Sequence, residues 1–293
     1  MRIRYRCLPC LVNQAVRIAE ITNAPDRDAL FRQVFSTLSQ LDFDRTNPEI
    51  IGETFRMLKQ HIGCADPYRE TRRHYNRLFE AHSRRFSEAI DAAANPWEHA
   101  IKYAILGNII DFNPIHSLSI DEIMRCLSDA DHLALAIDDT QLLKSDISRA
   151  KTLLYLGDNC GEICLDKLLI QRIHAMNPHL KVYFGVRGAP VVNDSIEEDA
   201  YFVGMDRCAS IISNGDDSLG TVLSRVSRPF LDVFRRADLV IAKGQANYES
   251  LSEETGKTIY FLLMTKCEVI ASDIGVPLRS LVCLRHAIHS EQQ

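Results

Sequence analysis

Acidic and amide side chains follow two apolar runs in the second half of the chain, and they are the residues best suited to chemistry. The run "TLLYLGDN" ends in Asp158 and Asn159, and "KVYFGVRGAPVVND" ends in Asn193 and Asp194. Carboxylate and amide oxygens are the donors that hard divalent ions such as Mg²⁺ and Mn²⁺ prefer. The residue types therefore indicate a cation site, provided that the fold brings these two segments together.

Lysines follow two later apolar runs, "ADLVIAKG" and "TIYFLLMTK", at Lys243 and Lys266. A lysine beside a divalent ion suits an anionic substrate, most simply a phosphate. Each residue taken alone has a plainer explanation, because an Asp-Asn pair after a strand is usually a helix cap and Asp194 is more often a turn residue. From spacing alone, the pattern predicts a metal- and anion-binding α/β domain.

The pattern of apolar residues changes near Lys151. Before it, segments such as "CLVNQAVRIAEIT" and "PEIIGETFRMLKQHI" have helical spacing, and strand-like runs are nearly absent. After it, five short apolar runs alternate with helical stretches, which predicts a parallel sheet covered on both faces. We therefore expect an all-helical domain at residues 1–150 and a Rossmann-like α/β/α domain at residues 151–293. Ligands bind such sheets beyond the carboxyl ends of the strands, where the polar residues lie.

Composition narrows the functional class. The net charge of -5 argues against nucleic-acid binding, which usually needs a basic face. No apolar run approaches the roughly 18 residues that a membrane helix requires. The amino terminus has no apolar segment typical of a secretory signal, so we expect the nine cysteines to be reduced thiols in a cytoplasmic protein. The oligomeric state is not predicted.

The amino-acid sequences of these loops indicate more about function than the spacing of their polar residues does. The phrases "GDNCGEICLDKLLI", "RGAPVVNDSIEEDA", "SNGDDSLGTVL" and "ADLVIAKGQANYESLSE" resemble the metal-dependent damage-control phosphatases. In the helical half, "RCLPCLVNQAVRIAE", "ADPYRE" and "LGNIIDFNP" are similar to the stand-alone prokaryotic branch, whose members begin with a C-x-x-C segment. The similarity runs in order over nearly the whole chain. It implies a helical domain beside a Rossmann-like domain, with the site in the cleft between them.

The resemblance also implies site residues. A divalent ion (Mn²⁺, Mg²⁺, Co²⁺ or Ni²⁺) would be held by the residues that match Asp158, Asn159 and Asp194. The positions that match substrate-binding residues of the family are Lys243, Asn108, Asp111, Ser213 and Gly215. Among them, Lys243 matches the lysine that binds the substrate phosphate.

The implied function is a phosphatase that hydrolyses phosphomonoesters of small metabolites, such as sugar phosphates or damaged derivatives of them. Two nucleophiles are compatible with the sequence: a metal-bound water activated by a carboxylate such as Asp194, and Asp158 itself, which would form an acyl phosphate. Glu162, one helical turn past Asn159, either orients water and the metal shell or serves only as a partner of the helix N-terminus.

Two other functions are weaker matches. An S-adenosylmethionine-dependent protein carboxyl methyltransferase usually has a glycine-rich first loop, whereas "GDNCGE" supplies only flanking glycines. A non-catalytic metal- or anion-binding module is disfavoured because Asp158, Asn159, Asp194 and Lys243 are all intact.

The C-x-x-C at Cys7 and Cys10 could begin a zinc site or a redox pair. Packing at the start of a helix is favoured, because no second C-x-x-C or C-x-x-H follows.

Overall fold

The computed structural model describes residues 1–107 and 120–286. One sheet of seven strands runs through these residues. The strands are β1 (Leu135–Asp138), β2 (Thr152–Leu156), β3 (Lys181–Val186), β4 (Ser210–Ser213), β5 (Leu239–Lys243), β6 (Ile259–Met264) and β7 (Leu281–His286). Their order across the sheet is β1-β7-β6-β5-β2-β3-β4. Strands β6 and β7 are antiparallel, and every other neighbouring pair is parallel.

Thirteen α-helices lie in the described ranges, and seven of them precede the first strand. They are α1 (Leu8–Ile21), α2 (Arg27–Leu38), α3 (Asn47–Ile62), α4 (Arg69–Ala81), α5 (Ser83–Ala92), α6 (Pro96–Leu106), α7 (Ile120–Ser128), α8 (Thr140–Arg149), α9 (Glu162–Met176), α10 (Glu197–Phe202), α11 (Arg228–Arg236), α12 (Gly244–Leu251) and α13 (Glu268–Ile274). None of these helices combines the length and the apolar character that a membrane crossing requires.

The predicted α/β class with a mainly parallel sheet is confirmed, and each of the five predicted runs contains a strand, β2 to β6. Two further strands, β1 and β7, were not predicted. Strand β1 lies before residue 151, so the sheet takes in part of the chain that the periodicity had assigned to helices. The division into domains at residues 1–150 and 151–293 stays a prediction.

The topology places a binding crevice beside β2. From β2 the chain adds β3 and β4 on one side, and it then crosses to add β5 and β6 on the other. Strand order therefore reverses between β2 and β5. Open parallel sheets bind ligands at such a switch point, beyond the carboxyl ends of the strands. The residues that follow β2 and β5, including Asp158 and Lys243, lie at this point.

Helix α9 fixes the loop that follows β2. Its apolar residues Ile163, Leu165, Leu169 and Ile173 are completely buried in one core with residues of β2, β3, α4 and α6. A helix that is buried on several faces lies between layers instead of covering a surface. The N-terminal helices α4 and α6 therefore pack on the same helix that begins at the candidate site.

Candidate active site

The two segments predicted to carry a cation meet through their backbones. Asn159 and Asp194 form an isolated antiparallel bridge. The amide of Ser195 donates to the carbonyl of Asp158 at 2.8 Å, and the amide of Cys160 donates to the carbonyl of Asn193 at 3.0 Å. The loop after β2 and the loop after β3 are thus paired, as the parallel topology predicted. Their role in binding a metal stays a prediction.

Unusual backbone positions shape both loops. Gly161 adopts a φ of +78°, in the left-handed region that favours glycine. Val192 has a φ of +46° although it is β-branched, and it directly precedes Asn193 and Asp194. Backbone strain of this kind persists only where the surrounding structure enforces it, and it is concentrated at functional sites.

Arg187 and Asn159 orient the two carboxylates. Asp158 and Asp194 are 7% and 3% exposed. The Nε of Arg187 donates to Oδ2 of Asp194 at 2.7 Å, and its Nη2 lies 3.8 Å from Oδ1 of Asp158. The Nδ2 of Asn159 donates to Oδ2 of Asp158 at 3.0 Å and to Oε2 of Glu162 at 3.1 Å. Because this nitrogen faces two carboxylates, the carbonyl oxygen of Asn159 is turned away from them.

Lys243 lies at the centre of a buried polar network. Its ammonium donates to the carbonyl of Ala104 at 2.6 Å, donates to Oδ1 of Asp166 at 2.7 Å and pairs with Glu162. The hydroxyl of Tyr155 also donates to Asp166, at 2.7 Å. Lys243 and Glu162 are both completely buried. The ammonium predicted to bind phosphate is therefore already bonded to three acceptors, and its predicted substrate contact stays a prediction.

Negative charge exceeds positive charge in this buried region. Among the described residues, four buried carboxylates surround two buried cations: Asp158, Glu162, Asp166 and Asp194 around Arg187 and Lys243. Burial, and then the charges of Asp194 and Glu162, raise the pKa of Asp158 well above its usual range. Burial raises the pKa of Asp194 despite the opposing effect of Arg187, and it raises the pKa of Asp166 to about 6. A divalent cation would offset this excess charge.

A cavity of about 330 Å³ opens beside the two paired loops. Its walls come largely from the helices α1, α3, α12 and α13 and from the loops that follow β2, β3 and β6. The polar side chains among its described lining residues include Gln14, Asn47, Asp158, Asn159, Asn193, Asp194, Gln245, Glu249 and Lys266. The size suits a small metabolite. Burial raises the pKa of Asp158, and the charges of Arg187 and then Lys266 oppose this rise only in part, so Lys266 acts electrostatically on the site.

Six predicted site residues are not among the described residues that line this cavity. Two of them, Glu162 and Lys243, belong to the buried polar network, and the other four lie at or beyond the end of β4 or outside the described residues. The Oγ of Ser213 accepts from the amide of Gly215 at 3.2 Å, in a loop beyond β4 that is not among the described lining residues. Asn108 and Asp111 lie outside the described residues.

Arg187, Asp166 and Lys266 were not predicted as site residues. Arg187 directly follows β3, and Lys266 was noted only as the residue that ends its apolar run. The position of Arg187 after a strand was the available signal. Its ion pair with Asp194 lies within the loop after β3 and depends on how that loop folds back on itself, which the sequence does not show.

Cys7 and Cys10 line the same cavity, as does Cys267. Burial raises the pKa of the Cys7 and Cys10 thiols above the usual value, which disfavours the reactive thiolate. Within residues 1–107 and 120–286, no group of three His, Cys, Asp or Glu side chains is arranged to hold a metal ion. The predicted set differs from such groups because one of its three members is an amide.

Titration of Glu249, which lines the cavity, should make the stability of the protein depend on pH. Burial raises the pKa of this carboxyl to about 7, although Asn47 donates to its Oε2 at 2.9 Å. A carboxyl that holds its proton more tightly when folded contributes stability that is fully present below about pH 4 and is lost as the pH rises through about 7. We expect the free energy of unfolding of the metal-free protein to fall by on the order of 2 kcal/mol more in wild type than in Glu249→Gln between about pH 5 and pH 8. Urea unfolding across this range measures the difference, and identical slopes would contradict the assignment.

Comparison with known proteins identifies the family. The protein-family model of the damage-control phosphatase ARMT1-like domain matches residues 3–282 of this chain. A damage-control phosphatase of Pyrococcus horikoshii is 34% identical over 98% of this chain and 99% of its own length, and one of Archaeoglobus fulgidus is 30% identical over 96% and 98%. The crystal structure of a DUF89 family protein from Pyrococcus horikoshii superposes with a TM-score of 0.88 at 32% identity, and it covers 97% of this chain and 99% of that one. These matches confirm the resemblance found in the loops and support a phosphatase function. The chain belongs to the damage-control phosphatase ARMT1-like family.

Proposed function

We propose that this protein is a metal-dependent phosphatase that hydrolyses phosphomonoesters of small metabolites, such as sugar phosphates or damaged derivatives of them. One observation carries the proposal: an excess of buried carboxylate lies beside a cavity of metabolite size at the switch point of the sheet. Family membership supports the phosphatase function. The metal requirement and the phosphomonoester preference are inferred from the site.

Asp158, Asn159 and Asp194 would hold the cation. All three are oxygen donors, line the cavity and belong to the paired loops. Such a set suits Mg²⁺, Mn²⁺, Co²⁺ or Ni²⁺ and discriminates weakly among them. When bound, the metal supplies charge neutralisation for the phosphoryl oxygens.

Lys266 is the cation best placed to meet the phosphate from the protein side. It is exposed, lines the cavity and influences the pKa of Asp158. Its backbone amide donates to Oε1 of Gln245, another lining residue, so the loop after β6 is tied to the loop after β5. Lys243 instead serves to hold Glu162, which in turn orients the amide of Asn159. Orientation of a ligand by a buried neighbour of this kind is a general feature of metal sites.

Neighbouring residues of the site also fix the orientation of Asp158, which would either attack the phosphate or align a water molecule. Asn159 donates to Oδ2 of Asp158, and Arg187 lies near Oδ1, so the Asp158 carboxylate is fixed in direction. A fixed carboxylate is suited both to direct attack on phosphorus and to aligning a water molecule. A single turnover with a ³²P-labelled substrate, quenched in acid, separates these routes. Direct attack expels the alcohol and leaves the phosphoryl group on Asp158 until water hydrolyses the acyl phosphate, whereas an attacking water releases phosphate without a protein-bound intermediate.

Phosphate release after metal removal tests the proposed function. The protein is treated with chelator, passed through a desalting column and then supplied with Mn²⁺, Co²⁺, Ni²⁺ or Mg²⁺, with a generic phosphoester and a panel of sugar phosphates as substrates. We expect no release before metal addition and release after addition of at least one ion. Equal release with and without chelator would contradict the metal requirement.

Parallel incubations of the same protein, with S-adenosylmethionine added and with metal binding measured, test the two weaker matches. Consumption of S-adenosylmethionine without release of phosphate would favour a methyltransferase. Tight metal binding without turnover of any substrate would favour a binding module. The cytoplasmic location remains a prediction.

A further inference from the structure

A largely buried polar cluster around α4 lies outside the cavity, and the proposed chemistry does not use it. It consists of Asp66, Arg72, Asn76 and Asp199, and we call it the α4 cluster. Arg72 is 1% exposed, although it is among the largest charged side chains. Its guanidinium donates to both oxygens of Asp66, at 2.9 and 2.8 Å, and its Nε donates to Oδ2 of Asp199 at 3.1 Å. Asp66 belongs to the "ADPYRE" phrase of the sequence.

Asn76 connects this cluster to the loop that carries Asp158 and Asn159. Its Oδ1 accepts from the backbone amide of Gly161 at 2.7 Å, and its Nδ2 donates to Oδ1 of Asp199 at 2.9 Å. Both atoms of the amide are used, and both bonds are buried. One α4 side chain therefore holds the loop after β2 at a point two residues beyond Asn159.

Asp199 connects the same cluster to the loop that carries Asp194. Its Oδ2 accepts from the backbone amide of Ile196 at 3.1 Å, at the start of α10. Ile196 lies two residues beyond Asp194. The α4 cluster thus bonds both ligand loops, at Gly161 and Ile196, which are not among the described lining residues of the cavity.

Close packing between α4 and the loop after β2 also restrains this loop. A β-carbon added at Gly161 would lie 3.1 Å from Cβ of Tyr75 and 3.2 Å from Cδ2 of Phe79, so α4 is in direct contact with the loop. Tyr75 and Phe79 are themselves buried in the main core. The loop has no room to move toward α4, and the bond from Gly161 to Asn76 opposes movement away from it.

We propose that Arg72, Asn76 and Asp199 are positioning residues that hold the two ligand loops in register, so that Asp158, Asn159 and Asp194 meet a single cation. They do not bind the cation themselves. The inference rests on the proposed function, because it assigns a task only if these loops bind a metal. Groups behind the ligands of a metal site typically change affinity by about 10- to 100-fold when they are replaced.

Exchange of the amide of Asn76 and the carboxylate of Asp199 tests this proposal. Asn76→Asp keeps an acceptor for Gly161 but places two carboxylates face to face, and we expect it to weaken Mn²⁺ binding by about 10- to 100-fold. The double variant Asn76→Asp with Asp199→Asn restores a donor and an acceptor and keeps the net charge of the cluster. We expect it to recover Mn²⁺ affinity to within about threefold of wild type. Affinity is measured by electron paramagnetic resonance of free Mn²⁺, and stability by urea unfolding of the metal-free protein.

Glu80→Gln provides the matched control. Glu80 lies one turn further along α4 and accepts from Lys167 of α9 at 2.7 Å, so that its contacts are with α9 and not with the ligand loops. It should lower stability while leaving Mn²⁺ affinity within about twofold of wild type, since it loosens the same helix pair without touching the loops. If Asn76→Asp does not fold, Asp199→Asn alone provides the second measurement, with the same weakening expected.

The outcomes separate this inference from the proposed function. Wild-type affinity in Asn76→Asp, no recovery in the double variant, or an equal loss in Glu80→Gln would overturn the positioning role alone. Failure of the wild-type protein to bind any of Mn²⁺, Mg²⁺, Co²⁺ and Ni²⁺ would overturn both.

Discussion

Replacement of Asp158 by Asn is expected to reduce metal-stimulated phosphate release by about 10³-fold or more, while the metal-free protein becomes more stable. Activity falls because the substitution removes one of two carboxylates that would hold the cation. Stability rises because Asp158 is a buried acid close to Asp194 and Glu162, and these neighbours and burial raise its pKa well above the usual range. Without metal, its charge is therefore a cost to the folded state that the neutral amide removes.

Two measurements on one preparation check this prediction: phosphate release with saturating Mn²⁺, and thermal unfolding in excess chelator. Asp206→Asn is the control, because it replaces an exposed carboxylate at the opposite end of the sheet and should change neither quantity. Retained activity in Asp158→Asn, or a lower unfolding temperature in chelator, would contradict the assignment of Asp158 as a metal ligand whose charge destabilises the metal-free fold.

Replacement of Lys243 by Met is expected to lower the free energy of unfolding by about 3–5 kcal/mol, because it leaves Glu162 and Asp166 buried without their cation. Replacement of the exposed Lys266 by Met should change stability by no more than about 0.5 kcal/mol. For substrate binding, we expect the larger effect from the other variant. Lys266→Met should raise KM for a phosphomonoester by about 10-fold or more, with unchanged metal affinity. Urea unfolding and Michaelis kinetics on the two matched variants separate the roles.

The roles assigned from the sequence predict a different result for the same pair. If Lys243 binds the phosphate directly, Lys243→Met raises KM and leaves the fold nearly as stable as wild type. That result, together with an unchanged KM in Lys266→Met, would contradict the structural role inferred for Lys243.

The convergence of the ligand loops was predictable because it follows from a general property of parallel sheets. Continuous apolar runs mark buried strands, and the residues after their carboxyl ends meet at one edge. Asp158 and Asp194 could therefore be placed together without knowing any side-chain contact. Strands β1 and β7 escaped prediction for the opposite reason. The sequence "LAID" is only four residues long, and "LVCLRH" ends in two polar residues, so neither is a clear apolar run.

Ion-pair partners were not predictable, because they depend on which side chains are buried together. Lys243 is a strand-end lysine in the sequence, and nothing in its neighbours indicates that Glu162 and Asp166 surround it. Arg187 was overlooked for the same reason. The contacts of the α4 cluster were even less predictable, since the bond between Asn76 and Gly161 joins residues that are 85 positions apart in the sequence. Such contacts arise from helix packing, which periodicity alone does not specify.

A crystal of the protein soaked in Mn²⁺ tests most directly whether the two loops hold one cation. Anomalous scattering at the manganese edge locates the ion without reference to activity. We predict one peak between the loops, with oxygens of Asp158, Asn159 and Asp194 at about 2.0–2.6 Å. A peak elsewhere, for example at Cys7, Cys10 and Cys267, or no peak between the loops at saturating Mn²⁺, would contradict the site.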